Sequence, residues 1–287
     1  MDWYDYDDTV NTYPNFTSNT PSVSAHNSYK VNSHLTKYAG LVYDLNDQHA
    51  IYASYTDTFK PQNYLDADSK LLAPVIGQNY EIGIKGEYFN GALNASAAVF
   101  LMDQKNRAFR STDQTQCANY PAVTCYSAAG EVRSKGVELE VQGAITPNWQ
   151  IGAGYTVAIA RFRKDATASN VGELFDTDTP RHLFKLSTMY RLPGALQGWR
   201  IGGSVYRQGA IYNKGTTSGV PFNITQSAYT VADLVIGWQA TKNLDVRLNI
   251  NNVFDKKYYN ALSGSTGFPS NVYGEPRNVM LSARYQF

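Results

Sequence analysis

An apolar–polar alternation with a period of two recurs along this chain, and it confines the fold to extended strands with two unlike faces. At the C-terminus Val279, Leu281, Ala283, Tyr285 and Phe287 fall on one face, and Asn278, Met280, Ser282, Arg284 and Gln286 on the other. Leu244, Val246, Leu248 and Ile250 alternate in the same way with Asp245, Arg247, Asn249 and Asn251. Val137, Leu139 and Val141 alternate with Glu138, Glu140 and Gln142, and Ile82 and Ile84 with Glu81, Gly83 and Lys85. No long stretch carries a helical period. The pattern predicts about twelve strands, near 1–9, 31–44, 49–58, 78–89, 92–105, 132–145, 149–163, 180–192, 199–210, 228–240, 244–255 and 277–287.

The predicted connections are of two kinds. Short turns lie at Asn46-Asp47-Gln48, Asn90-Gly91, Thr146-Pro147-Asn148, Pro193 to Gly198 and Thr241-Lys242-Asn243. Long loops span 10–30, 59–77, 106–131, 164–179, 211–227 and 256–276. Long and short alternate without a break, so all the long loops emerge at one end. This is the asymmetry of an outer-membrane barrel, with short periplasmic turns and long extracellular loops. Tyr43, Tyr88, Trp149, Tyr190, Trp199, Trp238 and Tyr285 all lie beside the short turns and on the apolar faces. Strand propensity explains aromatic residues in strands, but not their common end and face. A membrane-interface girdle explains both. The reading is an all-β, antiparallel, up-and-down transmembrane β-barrel in the Gram-negative outer membrane, with outer-membrane lipid as its surroundings.

Composition agrees with that reading. Only 17% of residues are charged, and mean hydropathy is negative, as suits a barrel with polar loops and a polar interior. No apolar run approaches the roughly twenty residues of a transmembrane helix. A formal net charge of +1 leaves no basic footprint for nucleic acid. Met1-Asp2-Trp3-Tyr4-Asp5-Tyr6-Asp7-Asp8 lacks the basic and apolar regions of an export signal. The expectation is therefore that 1–287 is the C-terminal part of a larger exported protein.

Five segments carry a family resemblance. Ala53-Ser54-Tyr55-Thr56-Asp57-Thr58-Phe59-Lys60-Pro61-Gln62 resembles a mid-barrel segment of TonB-dependent siderophore receptors. Gly77-Gln78-Asn79-Tyr80-Glu81-Ile82-Gly83-Ile84-Lys85 and Ser134-Lys135-Gly136-Val137-Glu138-Leu139-Glu140 look like two more. Asn251-Asn252-Val253-Phe254-Asp255-Lys256-Lys257-Tyr258 is similar to the penultimate-strand signature. Tyr273-Gly274-Glu275-Pro276-Arg277-Asn278, followed by the terminal Phe287, is similar to the last strand. The resemblance covers the chain from about Lys37 onward. It implies a barrel of roughly twenty-two strands filled by an N-terminal plug, of which about twelve strands and no plug are present. It also implies uptake of a ferric siderophore energised through TonB, which would dock on the missing N-terminal region, so this part alone is not expected to transport. Within the family the chain most resembles receptors for ferric hydroxamates of the coprogen and rhodotorulic acid kind, and next those for pyoverdines.

The iron arrives already chelated, so no protein metal ligand or cofactor is expected. The contacts would be aromatic walls and a few hydrogen bonds. Tyr206 and Gln208 face inward near the top of their strand, Tyr212 and Phe222 lie in the next loop, and Asn79 faces inward below another. Tyr64 and Phe268 are looser candidates. Mixed charges in the loops, Lys60 and Lys70 beside Asp66 and Asp68, do not form the cationic funnel expected for strongly anionic catecholate chelates. Cys117 and Cys125 share one loop, and in an exported protein such a pair most often forms a local disulfide. The cluster Asp2, Asp5, Asp7 and Asp8 lacks the glycine and distal glutamate of a calcium loop. Two other classes stay open on the residues alone: a passive porin, and a stand-alone barrel enzyme. The latter needs a Ser/His or Asp/His cluster, which the scattered His26, His34, His49 and His182 do not supply.

Overall fold

The computed structural model describes residues 2–12, 20, 23–118, 124–217, 219–262, 264–265, 268–269 and 271–287. For 2–12, 23–34, 217, 264–265 and 268–269 it describes the backbone alone. The strands in chain order are β1 (Asp2–Thr12), β2 (Val23–His34), β3 (Tyr38–Asn46), β4 (His49–Lys60), β5 (Val75–Tyr88), β6 (Leu93–Arg110), β7 (Tyr126–Thr146) and β8 (Trp149–Lys164). They continue as β9 (His182–Arg191), β10 (Trp199–Gln208), β11 (Ile211–Thr217), β12 (Val220–Gln226), β13 (Tyr229–Gln239) and β14 (Leu244–Asn251). Last come β15 (Tyr259–Ala261), β16 (Gly264–Ser265), β17 (Phe268–Pro269), β18 (Val272–Tyr273) and β19 (Asn278–Tyr285).

Eleven of them form one antiparallel sheet in the order β3-β4-β5-β6-β7-β8-β9-β10-β13-β14-β19. Each strand pairs with the next sheet strand in sequence, and β3 and β19 are not hydrogen-bonded to each other. The expected up-and-down order is present. The opening segment differs from expectation, because β1 and β2 make a hairpin of their own, with Tyr6 opposite Tyr29. The expected strand 31–44 is thus split between β2 and β3, and β3 is one edge of the sheet. The long loops also hold structure: β11 pairs with β12, β15 with β18 and β16 with β17.

Register carries the alternation across the sheet. Leu41, Ala53, Ile82, Val99, Val137 and Val157 are successive cross-strand partners and therefore share a face. Ile201, Ile236, Leu248 and Leu281 form a second such row. These side chains are not in a protein core. Leu41 is 72% exposed, Leu281 71% and Ile82 59%. Buried apolar residues among the described ones are Leu72, Cys117, Cys125, Val132, Ile211, Tyr229 and Leu262, at or near the long-loop end of the molecule. Leaving a Leu or Ile in water forgoes roughly 1.5–3 kcal/mol each. A continuous apolar face of this size therefore calls for lipid.

At the short-turn end the girdle is in place. Trp199 and Trp238 are opposite each other and stack at 5.3 Å, and Trp149 donates to the Thr188 hydroxyl at 2.8 Å. The other face is polar. There Arg200 holds Asp245 through two contacts of 2.6 and 2.7 Å, and Ser204 donates to Asp233 at 2.6 Å.

Candidate functional site at the long-loop end of the polar face

The loops that fold over the polar face come from both halves of the sheet. Residues 172–175 run beside the top of β8, where Phe162 N–H donates to the Glu173 carbonyl at 3.1 Å and Phe175 N–H to the Ala160 carbonyl at 2.9 Å. This seats Phe175 against Phe162, with ring centroids 5.2 Å apart, and under the Arg107 guanidinium at 4.3 Å. The hairpin β11–β12 is tied to the same loop by Tyr212 N–H donating to the Thr177 carbonyl at 2.9 Å. Between loop and sheet lies a cavity of about 220 Å³, walled by Gln104, Ser134, Phe175, Asp176, Arg181 and Tyr212 among others. That is below the roughly 300–1,000 Å³ of complete small-molecule sites, so the cavity suits one arm of a larger ligand. Burial, and next the neighbouring Asp178, raise the Asp176 carboxyl above the usual carboxylate range, against a smaller lowering by Arg107.

A second cluster stands on β10 and β13. The Tyr206 hydroxyl donates to Gln208 Oε1 at 2.8 Å. Tyr229 lies 6.0 Å from Tyr206 between ring centroids, and Tyr258 stacks on Tyr229 at 4.3 Å. Burial among these rings pushes the Tyr258 hydroxyl up, with Glu275 and Asp233 adding to it. Gln208 is only 4% exposed, and its Nε2 donor has no partner. An orphaned buried donor is destabilising by about 1–3 kcal/mol, so such a group is normally met by something.

The candidates from the sequence divide accordingly. Tyr206 and Gln208 touch each other, and Tyr212 lines the cavity. Asn79 sits opposite Met102, a cavity-wall residue, and its Oδ1 is likewise buried without a partner. Phe222 lies further along the β11–β12 hairpin, opposite Gly215, and does not line the cavity. Tyr64 packs instead on Tyr126 at 4.5 Å. The Phe268 side chain and those of Asp2, Asp5, Asp7 and Asp8 lie outside the described residues. Cys117 and Cys125 are joined by a disulfide, with Cα atoms 5.7 Å apart, at the head of the β6–β7 hairpin. Sequence reasoning missed Tyr229, Tyr258, Asp176 and Arg181. Tyr258 stood inside the quoted signature, and Tyr229 opens a strand. Nothing in the alternation marks Asp176 or Arg181, since both lie in loop 165–181 between β8 and β9.

The family of TonB-dependent receptor-like β-barrels matches residues 1–253. The ferripyoverdine receptor of Pseudomonas aeruginosa is 41% identical over 256 residues, which are 87% of this chain and 30% of that protein. A catecholate siderophore receptor of Escherichia coli is 29% identical over 260 residues, 87% of this chain and 32% of that protein. The crystal structure of the Pseudomonas aeruginosa ferripyoverdine receptor bound to ferripyoverdine superposes with a TM-score of 0.81 at 38% identity, covering 92% of this chain and 34% of that one. The chain therefore spans about a third of the length of these relatives. Ferripyoverdine and catecholate receptors stand where the sequence reading placed coprogen-type hydroxamate receptors nearest. These relatives are receptors and not enzymes.

Proposed function

The chain belongs to the β-barrel family of TonB-dependent receptors of the Gram-negative outer membrane, and from that footing we propose that it is the C-terminal part of the barrel of a ferric siderophore receptor, with a chelate of the pyoverdine kind as its ligand. The observation that carries the ligand reading is the pair of polar atoms, Gln208 Nε2 and Asn79 Oδ1, buried without partners at the long-loop end of the polar face. Tyr206, Tyr229 and Tyr258 stand beside the first, and the cavity under residues 174–181 adjoins the second. Apolar walls with a few fixed donors and acceptors suit a bulky chelate whose iron is already fully coordinated. Tyr212 offers a ring at the cavity mouth, and Phe222 a looser contact further out. The free edges β3 and β19 would pair with the remaining strands of such a barrel. Transport would draw on TonB through the part of the receptor outside this chain.

The test is equilibrium binding to the intact receptor of ferripyoverdine, ferric coprogen and a ferric catecholate, each with and without Tyr206→Ala, Tyr212→Ala and Gln208→Leu. Ferripyoverdine is expected to bind best, and each ring removed should weaken it about fivefold, which is on the order of 1 kcal/mol. Preferential binding of ferric coprogen would restore the hydroxamate assignment. Binding of none of the three would overturn the function, and unchanged affinity in all variants would move the site elsewhere.

A further inference from the structure

Asn90-Gly91 is the one Asn-Gly step in the chain. It sits at the centre of the short turn 89–92 that joins β5 to β6, beyond their last cross-strand pair, Tyr88 with Leu93. Asn90 has φ 58° and Gly91 φ 81°, the positive values that a tight hairpin turn requires if it is to match the twist of its strands. Phe89, at φ 55°, is drawn into the same left-handed region in spite of its bulk. The turn is closed by one long bond, from Ala92 N–H to the Phe89 carbonyl at 3.3 Å. Phe89, Asn90 and Gly91 are all exposed.

The groups that could react with one another here are free. Gly91 N–H makes no hydrogen bond among the described residues, so its nitrogen is not held. The Asn90 carboxamide has no partner among them either. Beside both stands Glu87, exposed, its carboxylate without a hydrogen-bond or ion-pair partner among the described residues. A Cβ built on Gly91 would lie 3.8 Å from Glu87 Oε2, and within 4 Å of nothing else beyond its neighbours in the chain. The approach to the nitrogen is therefore open, with a proton acceptor at hand. The asparagines of the other short turns differ. Asn46 Oδ1 accepts from Gln48 and His49 N–H at 2.9 Å each, and Asn243 Nδ2 donates to the Gln286 carbonyl at 2.7 Å. Asp47, Trp149 and Leu244 follow Asn46, Asn148 and Asn243, and their side chains crowd the nitrogen that glycine leaves bare.

We propose that Asn90 is a site of self-modification, in which the Gly91 nitrogen attacks the Asn90 side chain while Glu87 takes its proton. The new bond from the nitrogen to Cγ closes a succinimide as the bond from Cγ to Nδ2 breaks, and Nδ2 leaves as ammonia with that proton. Water then opens the ring, at Cγ to give aspartate or at the main-chain carbonyl to give isoaspartate. No electrons are exchanged, and water is the sole co-reactant. The turn has to open briefly for Cγ to reach the nitrogen, which its single long bond permits. Either product places a second carboxylate beside Glu87, and isoaspartate also lengthens the main chain by one carbon. The turn is tied to the end of β7 by Ala144 N–H donating to the Ala92 carbonyl at 2.7 Å, so the change alters this rim as the molecule ages. It takes place at the opposite end of the strands from the chelate cluster and does not depend on which siderophore is carried.

Tandem mass spectrometry of the intact receptor, aged while folded in detergent micelles in mildly alkaline buffer at growth temperature, tests this. Trypsin releases residues 86–105, a peptide that carries Asn90 together with Asn94. Asn90 is expected to turn progressively into aspartate and isoaspartate while Asn94 and Asn243 keep their amides. Glu87→Gln should slow the conversion severalfold in the folded receptor, and leave it unchanged in urea, where the carboxylate is no longer placed. Asn90→Gln should abolish the signal, because the longer side chain closes a less favourable ring. An Asn90 that keeps its amide as fully as Asn94 does, over a time in which the urea-unfolded receptor has converted, would overturn the site. So would equal conversion at Asn94 and Asn243. Conversion of the folded Glu87→Gln receptor at the native rate would overturn the part given to Glu87.

Discussion

Asn252 shows how the quoted signatures work at the scale of single residues. It is 2% exposed and in the left-handed region at φ 49°, which asparagine tolerates better than other side chains with a Cβ. Its Nδ2 donates to the Lys256 and Glu275 carbonyls at 2.9 Å each, its Oδ1 accepts from Lys256 N–H at 2.8 Å, and its own N–H donates to Asp233. The loop after β14 and the lead-in to β19 are thus fastened by one side chain. Gly274 belongs to the same device, because a Cβ there would lie 2.0 Å from the Tyr258 ring that stacks on Tyr229. Gly136 works likewise, since a Cβ would lie 2.2 Å from the Val157 carbonyl oxygen and 2.6 Å from the Phe100 ring. These signature residues build the frame, their contacts being to the chain's own backbone and rings. Asn252→Ala should therefore destabilise the intact receptor by about 3 kcal/mol, from stranded carbonyls and a strained alanine, as read by denaturant unfolding. Their role was not legible in the sequence, because the partners at 233, 256 and 275 come together only in the fold. The inward direction of Asn79 and Tyr206 was legible, because parity along a strand fixes it.

At the scale of elements, a strand could be read wherever its two faces meet unlike surroundings. β7 runs from Tyr126, not 132, because its upper part emerges from the membrane and the apolar–polar contrast fades there. The hairpin β11–β12 was read as loop for the same reason. Loop 165–181 is the element whose behaviour is most open to test. The Asp176 carboxyl is raised by burial, so its contribution to seating the loop is full below its unfolded value near pH 4 and is lost as pH rises through its folded value. Asp176→Asn should slow hydrogen exchange across 165–181 relative to the native receptor at about pH 8. The advantage should vanish near pH 3, where both forms carry a neutral group. An equal rate at both pH values would remove Asp176 from the seating of this loop.

For the whole molecule, strand order and membrane placement followed from two patterns, the alternation of connection lengths and the one-ended aromatics. Both are imposed by lipid and survive in the sequence. The proposed binding cavity was less legible, because its walls are brought in by loop contacts such as Tyr212 to Thr177, which leave no periodic trace. The open sheet from β3 to β19 carries the proposed chelate site on its polar face, so substitutions there are expected to leave the apolar, lipid-facing side unaltered. The most direct measurement is uptake of radiolabelled iron, presented as ferripyoverdine, by cells whose only siderophore receptor is the intact protein carrying this chain. The account predicts accumulation that stops when TonB is deleted and falls severalfold in Tyr206→Ala with Tyr212→Ala. Accumulation no greater than in cells without the receptor, with ferripyoverdine, ferric coprogen and a ferric catecholate alike, would contradict it.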